Sequence, residues 1–209
     1  MTSPVRLGVL LSGRGSNFEA IARSIREGRI PGAEIAIVIS NVEGAGGIET
    51  AGRLGLPTAV FVSKGRSRAA HDADVARCLR AHGVDLVVLA GYMRLLSAEF
   101  IGEFRDGILN IHPSLLPAFP GLDAQHQAFD YGVKIAGCTV HFVDEHLDHG
   151  VIVLQRAIAV LEGDDAESLA ARILGEEHIA YTEALRMVTS GEYEIRGRHY
   201  VRRGAGRKG

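Results

Sequence analysis

The sequence has no long apolar run, little net charge and few cysteines. The N-terminal apolar run VRLGVLLSG is too short to cross a bilayer and lacks the basic start and long apolar core of a signal peptide. A net charge of −2 gives no general attraction to nucleic acid or to an anionic membrane. Cys78 and Cys138 stand alone, without metal-ligand spacing, which favours reduced structural thiols. We therefore expect a cytoplasmic protein that binds neither membranes nor nucleic acid.

The C-terminal end departs from this balanced composition. RGRHYVRRGAGRKG, from Arg196, carries six Lys or Arg residues and no acid. It holds no aromatic-rich platform of the kind that binds single-stranded nucleic acid. We expect residues 191–209 to form a solvated, partly disordered basic tail.

The rest of the chain alternates short apolar runs with longer amphipathic ones. With 209 residues, 46% of them hydrophobic, it has enough apolar material for one sizeable core, and we assign residues 1–190 to a single domain. Five runs are predicted to be strands separated by helices, namely VRLGVLL, AEIAIVIS, PTAVFV, VDLVVLAG and GILNIH. This alternation indicates an α/β, Rossmann-like fold with a mostly parallel, twisted sheet flanked by helices.

The alternation changes after the predicted helix DAQHQAFDYG. KIAGCTVHFV and VIVLQRAIAV are predicted strands joined by the short loop DEHLDHG, so they can pair antiparallel in the C-terminal half. A long helix over residues 166–189 follows. Ligands of such sheets bind at the carboxyl ends of the strands, where SGRGSN, GYMRLL and HPSLLPAFPG are expected to meet loop 144–150.

SGRGSN, residues 12–17, leads from a strand into a helix. Glycine permits close backbone approach, and a helix N-terminus offers free N–H groups to an anion. The third glycine of a dinucleotide fingerprint and the Gly-Lys-Ser/Thr of a Walker A loop are both missing. The segment predicts either a site for a small phosphate monoester or an ordinary turn in which Ser16 or Asn17 caps the helix.

Asn110 and His112 lie two residues apart at the end of the fifth strand, so their side chains share one face. Pro113 favours an extended conformation at His112. The pair is either a ligand-facing catalytic pair or a hydrogen-bonded core pair. Asp148, in the later loop, is either a surface turn residue or the carboxylate that orients and charges a histidine.

Histidines 112, 141, 146 and 149 together suggest zinc, but their spacing matches no common zinc pattern, and we expect no metal. Glu177 falls on the apolar stripe of the last helix and is expected to point inward or to reach solvent at its edge. Arg94 follows the fourth strand, which places it near the ligand edge. The alternative interpretation, for both Arg94 and Arg68, is a charged side chain on the protein surface.

These residues assemble into a recognisable pattern. The chain resembles the folate-dependent phosphoribosylglycinamide formyltransferase family from VLLSGRGSNFEAI to GEEHIAY, most specifically in LNIHPSLLPAFPG and GCTVHFVDEHLDHGVIVLQ. The resemblance implies a formyltransferase fold with a nucleotide-binding N-terminal half and a folate-binding, catalytic C-terminal half. It also implies transfer of the formyl group of 10-formyltetrahydrofolate, the co-substrate, to the amine of glycinamide ribonucleotide.

The resemblance carries the family's functional residues onto this sequence. The implied catalytic residues are Asn110, His112 and Asp148. The implied nucleotide-binding residues are Gly15, Ser16, Asn17 and Glu177. The implied folate-binding residues are Arg68, Met93, Arg94, Leu95, Leu96, Asn110, Val143, Asp144 and Asp148. The sequence departs from relatives at Asp123, where several have histidine, and at His149, where small residues are usual.

Three alternatives stay open at this stage. Methionyl-tRNA formyltransferase shares the asparagine–histidine pair but normally adds a C-terminal nucleic-acid-binding domain, and formyltetrahydrofolate deformylase normally adds an N-terminal regulatory domain. We expect neither addition here. A non-catalytic nucleotide-binding module on the same fold is the third alternative. We expect a monomer or a homodimer.

Overall fold

A computed structural model describes residues 3–204 and contains nine strands and six helices in that range. In chain order they are β1 (Val5–Leu11), α1 (Ser16–Arg26), β2 (Ala33–Ser40), α2 (Gly46–Arg53), β3 (Thr58–Val60), α3 (Arg68–Ala81), β4 (Leu86–Leu89), α4 (Ala98–Glu103), β5 (Ile108–His112), α5 (Ala124–Tyr131), β6 (Ile135–Phe142), β7 (Ile152–Ala159), α6 (Ala166–Thr189), β8 (Tyr193–Arg196) and β9 (His199–Arg202). Every strand and helix predicted above is present, with ends that differ by a few residues.

Seven strands form one sheet in the order β3-β2-β1-β4-β5-β6-β7. β1 pairs parallel with β2 and with β4, and β4 pairs parallel with β5. β6 and β7 pair antiparallel. β4 is buried along its whole length, as its unbroken Leu and Val sequence predicts for a strand covered on both faces. The expected mostly parallel α/β sheet, with an antiparallel C-terminal part, is confirmed.

Local capping signals explain where several helices begin. The hydroxyl of Ser67 accepts a hydrogen bond from the N–H of Ala70 at the start of α3, and Ser97 does the same for Phe100 at α4. Asp165 and Ser168 form a reciprocal capping box at the start of α6. None of the helices between residues 3 and 204 is long and apolar enough to cross a membrane.

The chain divides into two compact units, the first ending at Asn110 and the second beginning at Ile111. Within the first, β1, β2 and β4 supply core side chains with no solvent exposure, including Leu10, Val38 and Val88. Within the second, Leu169, Ile173 and Ala184 of α6 are fully buried. α6 lies against β6 and β7, so its apolar stripe covers the antiparallel strands.

The basic C-terminal segment is more ordered than the sequence suggests. β8 and β9 pair as an antiparallel hairpin, which corrects the expectation of a solvated, partly disordered tail for this part of residues 191–209. Tyr200 stacks on Tyr193 and meets the ring of Phe142 edge-on, with ring centroids 5.4 and 5.5 Å apart. These aromatic contacts stabilise the hairpin, and the composition of the segment does not reveal them. Residues 205–209 of the expected tail lie outside the described residues.

Gly137→Ala is expected to destabilise the second unit strongly. A Cβ at Gly137 would lie 2.0 Å from the carbonyl oxygen of Arg156 and 3.0 Å from Cα of Ala157, both backbone atoms of the paired strand. Because backbone cannot swing aside as a side chain can, we expect a loss of about 3 kcal/mol in the free energy of unfolding, measured by urea denaturation. The control is Gly163→Ala, whose Cβ meets no described atom within 4 Å. Equal stability of both variants would contradict the prediction.

Candidate active site

His112 and Asp148 come together in the second unit. The Nδ1 atom of His112 lies 3.4 Å from Oδ2 of Asp148, although the two residues are 36 positions apart in the sequence. Their side chains are only 6% and 9% exposed. A carboxylate and an imidazole that are this close and this well shielded from solvent interact more strongly than an exposed pair. The interpretation of Asp148 as a surface turn residue is therefore wrong for its side chain.

The loop backbone presents Asp148 to His112. Asp148 adopts the left-handed conformation, with φ 48°, which aspartate tolerates better than most residues. Its Oδ2 atom accepts a hydrogen bond of 2.8 Å from the N–H of Gly121. Gly150, at the end of the loop, packs so closely that a Cβ would lie 1.8 Å from the carbonyl oxygen of Phe142. The carboxylate is thus held by its own backbone and by the segment that follows β5.

The contacts of His112 assign its ring protons. Nε2 lies 2.8 Å from the carbonyl oxygen of Phe119, and since a carbonyl only accepts, Nε2 carries a proton. Nδ1 then faces the Asp148 carboxylate. A second proton at Nδ1 would make an imidazolium that donates to Phe119 and pairs with Asp148. Both ring nitrogens of His112 thus lie beside an oxygen atom, the carbonyl of Phe119 at Nε2 and the Asp148 carboxylate at Nδ1.

His141 adds a second buried imidazole beside the same carboxylate. Its Nε2 lies 3.8 Å from Oδ1 of Asp148, and its Nδ1 donates to the carbonyl of Phe142 at 2.8 Å. Burial lowers the pKa of His141, and the carbonyl hydrogen bond and the Asp148 charge offset this only in part. At a pH at which an exposed histidine begins to take up a proton, His141 therefore stays mainly neutral.

This lowered pKa predicts acid sensitivity. The unfolded chain binds a proton at His141 below about pH 6.5, while the folded chain binds it only at lower pH. Stability therefore falls as pH drops below that value. Urea denaturation at pH 7.5 and at pH 5.5 measures the loss of unfolding free energy between these two pH values. We expect this loss to be smaller in His141→Gln than in the wild type. An identical fall in both proteins would contradict the prediction.

Asn110 and Glu177 occupy the predicted positions within their elements. Asn110 pairs with Leu89 of β4 at the carboxyl end of β5, two residues before His112 on the same strand, and is half-buried. Glu177 is 6% exposed and sits among the apolar residues of α6. The inward orientation predicted from helical spacing is confirmed for Glu177, and its extension to solvent is wrong.

The glycine loop brings two helix starts together in the first unit. Gly15 immediately precedes α1 with φ 79°, and a Cβ there would lie 2.9 Å from Cα of Gly47, in the first turn of α2. The N–H of Gly47 donates to the carbonyl of Gly13 at 3.1 Å. Gly15 itself is the capping residue of α1, so the prediction that Ser16 or Asn17 caps the helix is wrong. Two adjacent helix N-termini suit an anion better than one.

The segment after β4 exposes apolar side chains to solvent. Met93 and Leu95 are 73% and 54% exposed, while Arg94 is largely covered. The N–H of Met93 donates to the hydroxyl of Ser12 at 2.8 Å, which ties this segment to the glycine loop. Arg68 is the exposed first residue of α3. Large exposed apolar side chains held by polar contacts are typical of a ligand-contacting segment.

Asp72 is a supporting residue that the sequence analysis missed. Its Oδ2 accepts a hydrogen bond of 2.7 Å from the N–H of Ser97, and its Oδ1 lies 4.0 Å from Nε of Arg94. Asp72 is 1% exposed and shares the buried stripe of α3 with Val75, Ala76 and Leu79. The helical spacing that identified Glu177 could have identified Asp72 as well. The same carboxylate thus holds both ends of residues 94–97.

The loop that presents Asp148 also carries exposed polar residues. His149 donates from Nδ1 to Oδ2 of Asp144 at 3.0 Å, and Arg198, in the β8–β9 turn, donates to the carbonyl oxygen of His149 at 2.6 Å. Partial burial alone would raise the pKa of Asp144, but hydrogen bonds from His149 and the N–H of His146 outweigh it, so this pKa lies below its ordinary value. The C-terminal hairpin is therefore in direct contact with the loop.

Residues 5–185 match a protein family described as formyl transferase. The match covers both compact units, with β1 at its start and most of α6 at its end. The chain belongs to the formyl transferase family. The family resemblance inferred from the sequence motifs is thereby confirmed.

Named relatives are similar to this member of the formyl transferase family over most of its length. The trifunctional purine biosynthetic protein adenosine-3 of Drosophila melanogaster is 46% identical over 188 residues, which are 89% of this chain but only 14% of that protein. The phosphoribosylglycinamide formyltransferase of Bacillus subtilis is 42% identical over 184 residues, 88% of this chain and 94% of that one. The crystal structure of glycinamide ribonucleotide transformylase 1 from Symbiobacterium toebii has a TM-score of 0.92 at 52% identity, covering 95% of this chain and 94% of that one.

Proposed function

We propose that the protein is a phosphoribosylglycinamide formyltransferase of purine biosynthesis. It moves the formyl group of 10-formyltetrahydrofolate to the amine of glycinamide ribonucleotide, giving formylglycinamide ribonucleotide and tetrahydrofolate. The observation that carries the proposal is the buried His112–Asp148 pair, 3.4 Å apart, in a chain that aligns with 94% of the Bacillus subtilis formyltransferase. A non-catalytic nucleotide-binding module would have no use for such a pair.

The proposed nucleotide-binding residues are Gly15, Ser16, Asn17 and Glu177. The phosphate of glycinamide ribonucleotide lies at the N-terminus of α1, where Gly15 allows close approach and the helix dipole favours an anion. Glu177 accepts hydrogen bonds from the ribose hydroxyls. This role is the one that the family resemblance implies for Glu177.

The proposed folate-binding residues are Arg68, Met93, Arg94, Leu95, Leu96, Asn110, Val143, Asp144 and Asp148. The exposed side chains of Met93 and Leu95 contact the flat pterin and benzoyl rings, which gain from leaving water. Arg68, at the exposed start of α3, pairs with the negatively charged glutamate part of the folate. Held in place by Asp72 and Ser12, residues 93–97 need little rearrangement on binding.

The proposed reaction is direct acyl transfer. The amine nitrogen of the nucleotide attacks the formyl carbon, and a tetrahedral intermediate forms with a negative oxygen and a positive nitrogen. The amide of Asn110 donates a hydrogen bond to that oxygen. The proton on the attacking nitrogen then passes to N10 of the folate as the bond from the formyl carbon to N10 breaks. Holding both substrates together lowers the barrier by several kcal/mol, on the order of 7 or more.

His112 and Asp148 act together in this scheme. In the proposed step His112 acts as an imidazolium, and its Nδ1 pairs with Asp148, 3.4 Å away, while negative charge develops on the substrate oxygen. For His112 to donate to that oxygen through Nε2, its N–H must leave the carbonyl of Phe119, 2.8 Å away. The imidazolium then stabilises the intermediate, and Asp148 stabilises the imidazolium. The reaction requires no metal ion and no covalent enzyme intermediate. A cytoplasmic location and a monomeric or homodimeric state stay predictions.

A formyl-transfer assay tests the proposal. The purified protein is mixed with glycinamide ribonucleotide and 10-formyltetrahydrofolate, and tetrahydrofolate and formylglycinamide ribonucleotide are measured. We expect stoichiometric formation of both. Release of formate at the same rate without the nucleotide would indicate a deformylase instead. Folate binding without turnover would indicate a binding module, and formylation of methionyl-tRNA but not of the nucleotide would indicate a methionyl-tRNA formyltransferase.

A further inference from the structure

Three possible metal ligands meet in the loop between β6 and β7. Each residue offers one ligand atom, and these three atoms lie within 4.8 Å of one another; the residues are Asp144, His146 and His149. Nδ1 of His149 is 3.0 Å from Oδ2 of Asp144, and Nδ1 of His146 is 3.9 Å from Oδ1 of the same carboxylate. The sequence spacing of the histidines does not reveal Asp144 as a donor. The fold of the loop supplies this third donor.

The spacing of these donors suits a small divalent ion. A tetrahedral ion bound at about 2.0–2.1 Å from each donor holds neighbouring donors about 3.3 Å apart. The observed separations, 3.0 Å to Oδ2 and 3.9 Å to Oδ1 of Asp144, lie on either side of that value, and the three donor atoms lie within 4.8 Å of one another. The side chains of His146 and His149 are 76% and 54% exposed, so they can adjust, and water can complete the coordination. Imidazole and carboxylate together favour zinc and similar transition metals over calcium or magnesium.

Arg198 is the positive group that such an ion would meet. Its Nη1 atom lies 3.4 Å from Nδ1 and 3.3 Å from Nε2 of His149. Because Nη1 of Arg198 is almost equidistant from the two ring nitrogens of His149, it does not lie along the lone-pair axis of either nitrogen. The guanidinium therefore lies close to the proposed ion, and the Asp144 carboxylate partly offsets the guanidinium charge. Arg198 weakens binding through its charge without occupying a ligand position.

We propose that Asp144, His146 and His149 form a binding site for one divalent transition metal ion, with Zn²⁺ as the type ion. The site uses three protein ligands and leaves a fourth position to water. It goes beyond the proposed formyl transfer and does not depend on it. No step of that reaction uses the ion.

Calorimetric titration of the purified, metal-free protein with ZnCl₂ tests the site. We expect one ion per chain in the wild type. His146→Ala and His149→Ala should each lower the affinity at least about tenfold, because even changes to groups that only support metal ligands cost that much. The matched control is His126→Ala, since His126 lies 3.2 Å from Asp123 in a comparable exposed pair but outside the three-donor cluster. It should bind Zn²⁺ as the wild type does.

A spectroscopic measurement separates this site from thiol binding. Co²⁺ substituted for Zn²⁺ should give visible absorption bands without the strong sulfur-to-metal charge transfer that Cys78 would produce. Because both histidines are exposed, their alanine variants should fold, which circular dichroism checks. Wild-type Zn²⁺ affinity in both His146→Ala and His149→Ala, or a wild type that binds no Zn²⁺, would overturn the proposal.

Discussion

Replacement of His112 by alanine is expected to lower kcat for formyl transfer by about 10³-fold. In the proposed mechanism the change removes the ring that joins Asp148 to the reacting groups, while the proposed phosphate contacts of the nucleotide lie on α1. KM for glycinamide ribonucleotide should therefore change by less than about threefold. Steady-state kinetics with each substrate varied in turn measures both effects.

The control for this variant is another histidine change in the same unit. His126→Ala removes an exposed imidazole near Asp123 and should leave kcat unchanged. Since His112 is 4% exposed and hydrogen-bonded, its replacement also lowers stability, so urea denaturation must show that the variant is folded under assay conditions. A folded His112→Ala protein with kcat within a factor of ten of the wild type would refute the catalytic role.

Asp148→Asn is expected to lower kcat by about 10²- to 10³-fold. Asparagine is nearly the same shape and tolerates the left-handed backbone conformation of this position, so the loop should keep its course. Its amide oxygen can still accept from the N–H of Gly121, but the negative charge beside Nδ1 of His112 is lost. The imidazolium of the proposed mechanism then has no counter-charge. Kinetics in which KM for folate and kcat are determined separately distinguish this effect from a loss of folate contacts.

Glu145→Gln provides the matched comparison for Asp148→Asn. It removes one carboxylate from the same loop, at an exposed position. Its kcat should stay within about twofold of the wild type, because an exposed charge is screened by solvent. If both variants lost activity equally, the net charge of the loop rather than the Asp148–His112 contact would be responsible.

The secondary structure followed closely from local pattern. Apolar runs such as VDLVVLAG and amphipathic segments such as the last helix form the predicted elements because burial depends on periodicity within each element. Helical spacing also predicts the inward orientation of Glu177. Asp72 lies on the buried stripe of α3 in the same way, but its inward position was not predicted. The β8–β9 hairpin was not predicted either, because its stacked tyrosines interact across two strands rather than along one.

The sequence by itself determined the strand–helix order, the shared strand position of Asn110 and His112, and the glycine loop before α1. These are properties of neighbouring residues, and the backbone's few allowed conformations make them readable. Only the tertiary structure decided that Asp148 reaches His112 and that Asp72 holds residues 94–97. Such contacts depend on where distant segments meet, and that is decided by packing of the whole chain, which no local spacing encodes.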